Sequence, residues 1–164
     1  MIDIHTNFLD DALYNDTLNF AENVLAGNNL ACQLTVWNQG VIGKSGPILI
    51  HKLDLKEPFI FLLREKINRP FSSVICYIQY FLQYSYIPWH DDGDHAFAGT
   101  LYLNKNWDRE WGGAYMYEDQ NKNIHVQYPE KNKLIIQHKN TWHSTTMVHP
   151  GADVRMSMQF FFKN

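Results

Sequence analysis

Residues 73–104 read SVICYIQYFLQYSYIPWHDDGDHAFAGTLYLN. Two runs rich in β-branched and aromatic residues, SVICYIQYFLQY and FAGTLYLN, flank a short polar stretch holding an Asp-Gly pair. Such runs suit the pleated, half-buried surface of a sheet, and Gly, Asp and Asn between them mark turns. The pattern continues downstream in GAYMYE (113–118), NIHVQY (123–128), KLIIQH (133–138), TTMVH (145–149) and VRMSMQFFF (154–162). EDQNKN, YPEKN, KNTW and HPGAD punctuate these runs. Short strands at regular spacing, with no helices between them, predict an antiparallel sandwich or barrel of about eight strands.

Upstream the period changes. Residues 13, 14, 17, 18, 21, 24 and 25, apolar except Thr17, follow helical spacing, with acids in the first turn and Gly27 as a stop. A second helix is expected over 56–67, entered through Glu57-Pro58 and ended near Asn68-Arg69-Pro70. GVIGKSGPIL (40–49) carries a GxxGKS element. A phosphate-binding loop needs four residues between its first glycine and GK, and a strand before it, so this stretch reads as a turn. The expected fold class is therefore mainly β with N-terminal helices (α+β). One domain over 1–164 is expected, with a helical segment over 1–70 bracing a β core over 71–164.

Composition narrows the partners. Apolar residues make up 45% and aromatics 15%, so a packed core is expected. A chain of 164 residues buries about two-thirds of its unfolded surface. The net charge is −3 and no basic run stands out, which argues against a nucleic-acid partner. Cys32 and Cys76 sit in apolar segments without metal-ligand spacing and read as free thiols, as in a reducing cytoplasm. The first residues carry acids and no unbroken apolar stretch, so they do not read as a signal peptide. No run approaches the 18 or so apolar residues of a membrane span. A soluble, cytoplasmic protein is expected; the sequence does not specify its oligomeric state.

The chemistry is concentrated in HDDGDH (90–95). His90 and Asp92 are two apart, so on extended backbone they leave one face together, while Asp91 points away. One imidazole, one carboxylate and a more distant histidine make a 2-His-1-carboxylate set, which leaves coordination positions open and suits Fe(II). Read alone, the stretch is equally a polar hairpin turn. The second histidine has five candidates: His95, His125, His138, His143 and His149. Downstream of His143 lie Arg155 and Ser157, two apart on one face of an otherwise apolar strand. An inward arginine is costly unless paired, and a bound dicarboxylate would pair with it. An arginine facing solvent at a strand edge is the plain alternative.

HDD at 90–92, TWH at 141–143 and VRMSM at 154–158 together resemble the HxD…H…R signature of the Fe(II)/2-oxoglutarate-dependent dioxygenases. GTLYLNKNWDREWGGAYMYE (99–118) is similar to the prolyl 4-hydroxylase branch. The resemblance covers about residues 74–162 and implies a double-stranded β-helix, a jelly-roll or cupin-like barrel. It implies iron ligands at His90, Asp92 and His143, and Arg155 on the distal carboxylate of 2-oxoglutarate. Tyr102 and Tyr80 match tyrosines that contact this cosubstrate, and Ser157 would add a hydrogen bond. Trp89 and Trp142 flank two of the ligands and would help shape the pocket. The implied cofactors are Fe(II), 2-oxoglutarate and O₂, with ascorbate as an accessory reductant. The implied activity is hydroxylation of a C–H bond, in a peptidyl proline or in a small molecule such as a free amino acid, with release of succinate and CO₂. Substrate contacts are expected on loops 38–47, 104–112 and 118–123. A metal-binding β-barrel without enzymatic activity is the competing class. Arg155 separates the two, because such a barrel needs no inward arginine.

Overall fold

The computed structural model describes residues 2–28, 32–35 and 46–164. The GKS element and most of loop 38–47 therefore lie outside the described residues. The first part of the chain forms β1 (Ile2–His5), α1 (Asp11–Asn23), β2 (Gln33–Thr35), β3 (Ile48–Leu53) and α2 (Glu57–Ile67). The second forms β4 (Ser73–Phe81), β5 (Ile87–His90), β6 (Phe97–Tyr102), β7 (Tyr115–Glu118), β8 (Ile124–Gln127), β9 (Leu134–His138), β10 (His143–Thr145) and β11 (Arg155–Lys163).

Both helices start where the residues direct. The Asp10 side chain accepts from the Leu13 amide, capping α1, and Tyr14, Leu18 and Ala21 form its buried stripe. Pro58 occupies the first turn of α2, and Asn68 closes that helix in the left-handed region at φ 51°.

The strands form two antiparallel sheets, in the orders β1-β9-β6-β11-β4-β3-β2 and β5-β10-β7-β8. This is the layout of a double-stranded β-helix, as the sequence suggests. The strand count differs. Among the described residues there are eleven strands, and three come from the first seventy residues. That segment is thus not only a helical brace: β1 pairs with β9, and β3 pairs with β4. The expected strand over 145–149 is also displaced. β10 ends at Thr145, and Val148 exchanges amide and carbonyl bonds with Ser85 and Tyr84 instead.

Alternation along the larger sheet divides two interiors. Cys76, Ile78 and Tyr80 of β4, Leu134 and Ile136 of β9, and Met156, Met158, Phe160 and Phe162 of β11 pack with Tyr14, Leu18 and Leu63 of the helices. Their neighbours Gln79, Phe81, Gln137, Arg155, Gln159 and Phe161 line a cavity between the two sheets. Among the described residues no helix is long and apolar enough to cross a membrane.

This parity corrects the reading of Tyr80 as a cosubstrate contact. Tyr80 belongs to the helix-side core, and its hydroxyl donates to the Ala21 carbonyl at 2.9 Å. Tyr80→Phe removes one donor from that carbonyl, which keeps the Val24 amide, and is expected to lower stability by about 0.5–1.5 kcal/mol. Urea unfolding measures the loss.

Candidate metal centre

β10 lies between β5 and β7, and its register sets His143 directly across from His90. The two rings are 4.2 Å apart between centroids. Asp92 follows just beyond the end of β5. Each histidine is oriented from behind: His90 Nδ1 lies 2.8 Å from the Pro88 carbonyl, and His143 Nδ1 2.8 Å from the Thr141 carbonyl. Only a protonated Nδ1 can bond a carbonyl, so the neutral form of each ring carries its lone pair on Nε2, the atom turned toward Asp92. His90 Nε2 lies 3.6 Å from Asp92 Oδ1, and His143 Nε2 lies 3.7 Å from Asp92 Oδ2. One ligand atom from each of the three falls within 4.8 Å of the others. Two bonds of about 2.1 Å to one ion span the shorter separations. Asp91 is exposed, as its position on the other face requires.

Electrostatics favour the same arrangement. Burial pushes the His143 imidazole down from the usual 6.5 to about 4, against the pull of the Asp92 carboxylate. Burial would lower His90 as well, but the neighbouring Asp92 carboxylate and the Pro88 carbonyl prevail and raise it. Burial opposes the Asp92 charge, yet His90 and His143 hold its carboxyl below the ordinary range. The centre therefore offers a carboxylate and a neutral His143 at physiological pH.

Arg155 enters the same cavity from β11. It is 1% exposed, and its guanidinium lies 4.4 Å over the Phe81 ring and 4.9 Å over the Tyr102 ring. Burial works against its charge. Its one side-chain hydrogen bond among the described residues is a long donation from Nη1 to Ser157 Oγ at 3.5 Å. Neither Arg155 Nε nor the buried Tyr102 hydroxyl has a partner among the described residues. A carboxylate fits both groups: the guanidinium presents a fork of donors, and the hydroxyl adds another. The Trp-Gly-Gly turn makes room for this arginine. Gly113 sits at φ +63°, and a Cβ there would stand 2.8 Å from Arg155 Cδ. Its neighbour Gly112, at φ +68°, would meet the Met147 carbonyl at 2.1 Å.

The geometry thus gathers His90, Asp92, His143, Arg155, Tyr102 and Ser157. It leaves the other histidines apart: His95 packs on Phe161 at 4.5 Å, His125 bonds Asp119 at 2.8 Å, and His138 and His149 stay off the cavity. Trp89 and Trp142 do not line it, which removes them as pocket walls. Two residues that sequence reasoning passed over are present. Gln137 of β9 donates from Nε2 to Asp92 Oδ2, and Tyr115 of β7 donates to Gln137 Oε1 at 2.5 Å. The one clue in the sequence was a glutamine set in the apolar run KLIIQH, without a motif around it.

The sequence model of the 2OG-Fe(II) oxygenase superfamily matches residues 74–163. Among solved structures, a Pseudomonas putida prolyl-4-hydroxylase superposes with a TM-score of 0.76 at 14% identity, covering 99% of this chain and 92% of that one. A Trichoplax adhaerens prolyl hydroxylase, solved with a hypoxia inducible factor oxygen degradation domain peptide fragment, gives 0.79 at 14% identity, with 99% and 83% covered. The viral collagen prolyl hydroxylase of Paramecium Bursaria Chlorella virus-1 gives 0.65 at 15%, with 98% and 94% covered. These structures share the fold. No curated protein matches the chain by sequence.

The lowered His143 fixes the sign of an acid effect. Between pH 6.5 and about 4 the unfolded chain protonates this histidine and the folded protein does not. Stability of the metal-free protein should therefore fall as pH drops through that window, by roughly 3 kcal/mol for a 2.5-unit difference. The raised His90 acts in the other direction and only above pH 6.5, where its contribution is lost as pH rises through its folded value. Urea midpoints between pH 4 and 6.5 check this, and His143→Gln should flatten the slope.

Proposed function

This chain belongs to the 2OG-Fe(II) oxygenase superfamily, and we propose that it hydroxylates a prolyl residue of a peptide or protein, with His90, Asp92 and His143 holding Fe(II) and Arg155 binding 2-oxoglutarate. With iron, 2-oxoglutarate and O₂ bound, the site supplies decarboxylation to succinate and CO₂, and one oxygen atom enters a C–H bond. The protein's part is orientation. With their Nδ1 protons committed to backbone carbonyls, the neutral rings of His90 and His143 would each turn an Nε2 lone pair toward the ion. Three protein ligands would leave positions open on the ion for the keto acid and O₂. Arg155 takes the distal carboxylate, with Tyr102 and Ser157 as further donors. Phe81, Ile87 and Phe161 make the apolar wall that keeps water from the reacting centre.

The observation that carries this reading is the buried arginine in the same cavity as the triad. A buried charge without a partner is strongly unfavourable, so an arginine there fits a site for an anion. A barrel that only binds a metal has no use for it. The prolyl assignment is supported by the shared fold with prolyl hydroxylases, one of them solved with a peptide. Substrate contacts are assigned to loop 104–112, which presents Trp107 and Trp111 edge to face at 5.2 Å, and to loop 118–123. Ascorbate serves as reductant between turnovers, and the cytoplasm, where free Cys32 and Cys76 stay reduced, is the setting.

Anaerobic addition of Fe(II) and 2-oxoglutarate should give a weak visible charge-transfer band. Arg155→Ala should shift its half-saturation to about 10–100 times more 2-oxoglutarate, the equivalent of charged hydrogen bonds worth about 1.5–3 kcal/mol. A wild type without the band, or an unchanged titration in the variant, defeats the oxygenase reading. Succinate release should then rise with proline-containing peptides and not with free amino acids; the reverse order would move the substrate to a small molecule. Gly113→Ala should weaken 2-oxoglutarate binding as well, because its methyl group displaces the arginine.

A further inference from the structure

We propose that Gln137, held in one orientation by Tyr115, is a positioning residue that ties down one oxygen of Asp92, so that the carboxylate offers the metal a single oxygen. The inference rests on His90, Asp92 and His143 being a divalent-metal site. A glutamine side chain has two unlike ends, an accepting oxygen and a donating nitrogen. Tyr115 decides which end faces which way. Its hydroxyl donates to Gln137 Oε1 at 2.5 Å. With Oε1 taken, Nε2 must face the carboxylate, where it donates to Asp92 Oδ2. The same nitrogen lies 3.4 Å from His143 Nε2.

A carboxylate can bind an ion through one oxygen or two. Occupying Oδ2 with a hydrogen bond favours one, and leaves Oδ1, the atom nearest His90 Nε2, to face the ion. A two-oxygen carboxylate would use an additional coordination position. Water cannot substitute readily for the clasp, since Gln137 is 4% and Tyr115 3% exposed. Its placement is also informative. Gln137 stands on β9 of the larger sheet, Tyr115 on β7 of the smaller, and Asp92 just beyond β5 of the smaller. The two hydrogen bonds of one amide therefore join the sheets at the metal. The Tyr115 ring also stacks on His143, 5.4 Å between centroids and 27° between planes.

The test uses Co(II), whose d–d absorption reports both binding and coordination number, titrated under argon into the whole protein. Wild type should bind with a band that His90→Ala abolishes. Gln137→Leu should raise the Kd by about 10–100-fold, the usual loss for a partner of a metal ligand, and change the band's shape and intensity. Tyr115→Phe, which removes one oxygen and keeps the stacking ring, should weaken binding by less and change the band in the same sense. In the double variant Tyr115→Phe should add no further loss, because the tyrosine acts only through the amide. Wild-type affinity and spectrum in Gln137→Leu would overturn the proposal. So would a full Tyr115→Phe effect in the Gln137→Leu background. Should Gln137→Leu fail to fold, an unchanged spectrum in Tyr115→Phe alone overturns it. A wild type with no His90-dependent band removes the metal site itself, and the clasp with it.

Discussion

The two-residue alternation along β11 sends Arg155, Ser157 and Gln159 toward the smaller sheet, and Met156, Met158, Phe160 and Phe162 toward the helices. The site depends on this constraint. One residue of slip against β4 or β6 would put an arginine into an aromatic core and a methionine beside the metal ligands. The register is held by what lies behind the sheet. Phe160 and Phe162 are fully buried, and Phe162 stacks on Phe97 at 4.3 Å. The apolar side of the strand thus specifies where its charged side points.

The electrostatic character of the cavity follows from how little water reaches it. His143 stays neutral because it is buried, and Arg155 is retained although burial opposes it. Aromatic faces partly replace the missing solvent around Arg155: Phe81 and Tyr102 sandwich the guanidinium. An anion entering there would meet a guanidinium already stripped of water, in a low local dielectric that strengthens their attraction. The position of Arg155 also explains why a glycine stands at 113. An arginine with this many neighbours needs a path for its methylenes, and Gly113 leaves the path clear.

The parts of this molecule that were legible in the sequence are those fixed by short-range geometry or by chemically unusual residues. His90 and Asp92 share a face because they are two apart, and Arg155 stood out as a charge in an apolar strand. The sheet-rich second half and both helices followed from periodicity. Tyr80 was misassigned because four tyrosines share its segment, and nothing local says which parity faces the metal. Only the pairing of β4 with β11 settles that. β1 and β3 were missed because short strands at a sheet's margin take their partners from distant segments, here β9 and β4. Gln137 and Tyr115 carried no motif, since their meaning lies in a contact across two sheets.

That contact bears on how the site keeps its dimensions. The smaller sheet contributes both histidines, and the larger sheet contributes Arg155 and Gln137. The His90–Asp92–His143 cluster and the buried arginine thus stand on different layers, and their separation is the spacing between the layers. Apolar packing alone tolerates small slides, because dispersion contacts have little direction. Hydrogen bonds with fixed donors and acceptors do not. Between the layers, the Tyr115–Gln137 and Gln137–Asp92 bonds are directional contacts beside the His90–Asp92–His143 cluster. A catalytic distance set by two sheets needs such a tie near the reacting atoms, because a bond at the rim would allow the layers to pivot about it. The helices press on the outer face of the larger sheet and fix its register, while the amide fixes its distance from the other sheet.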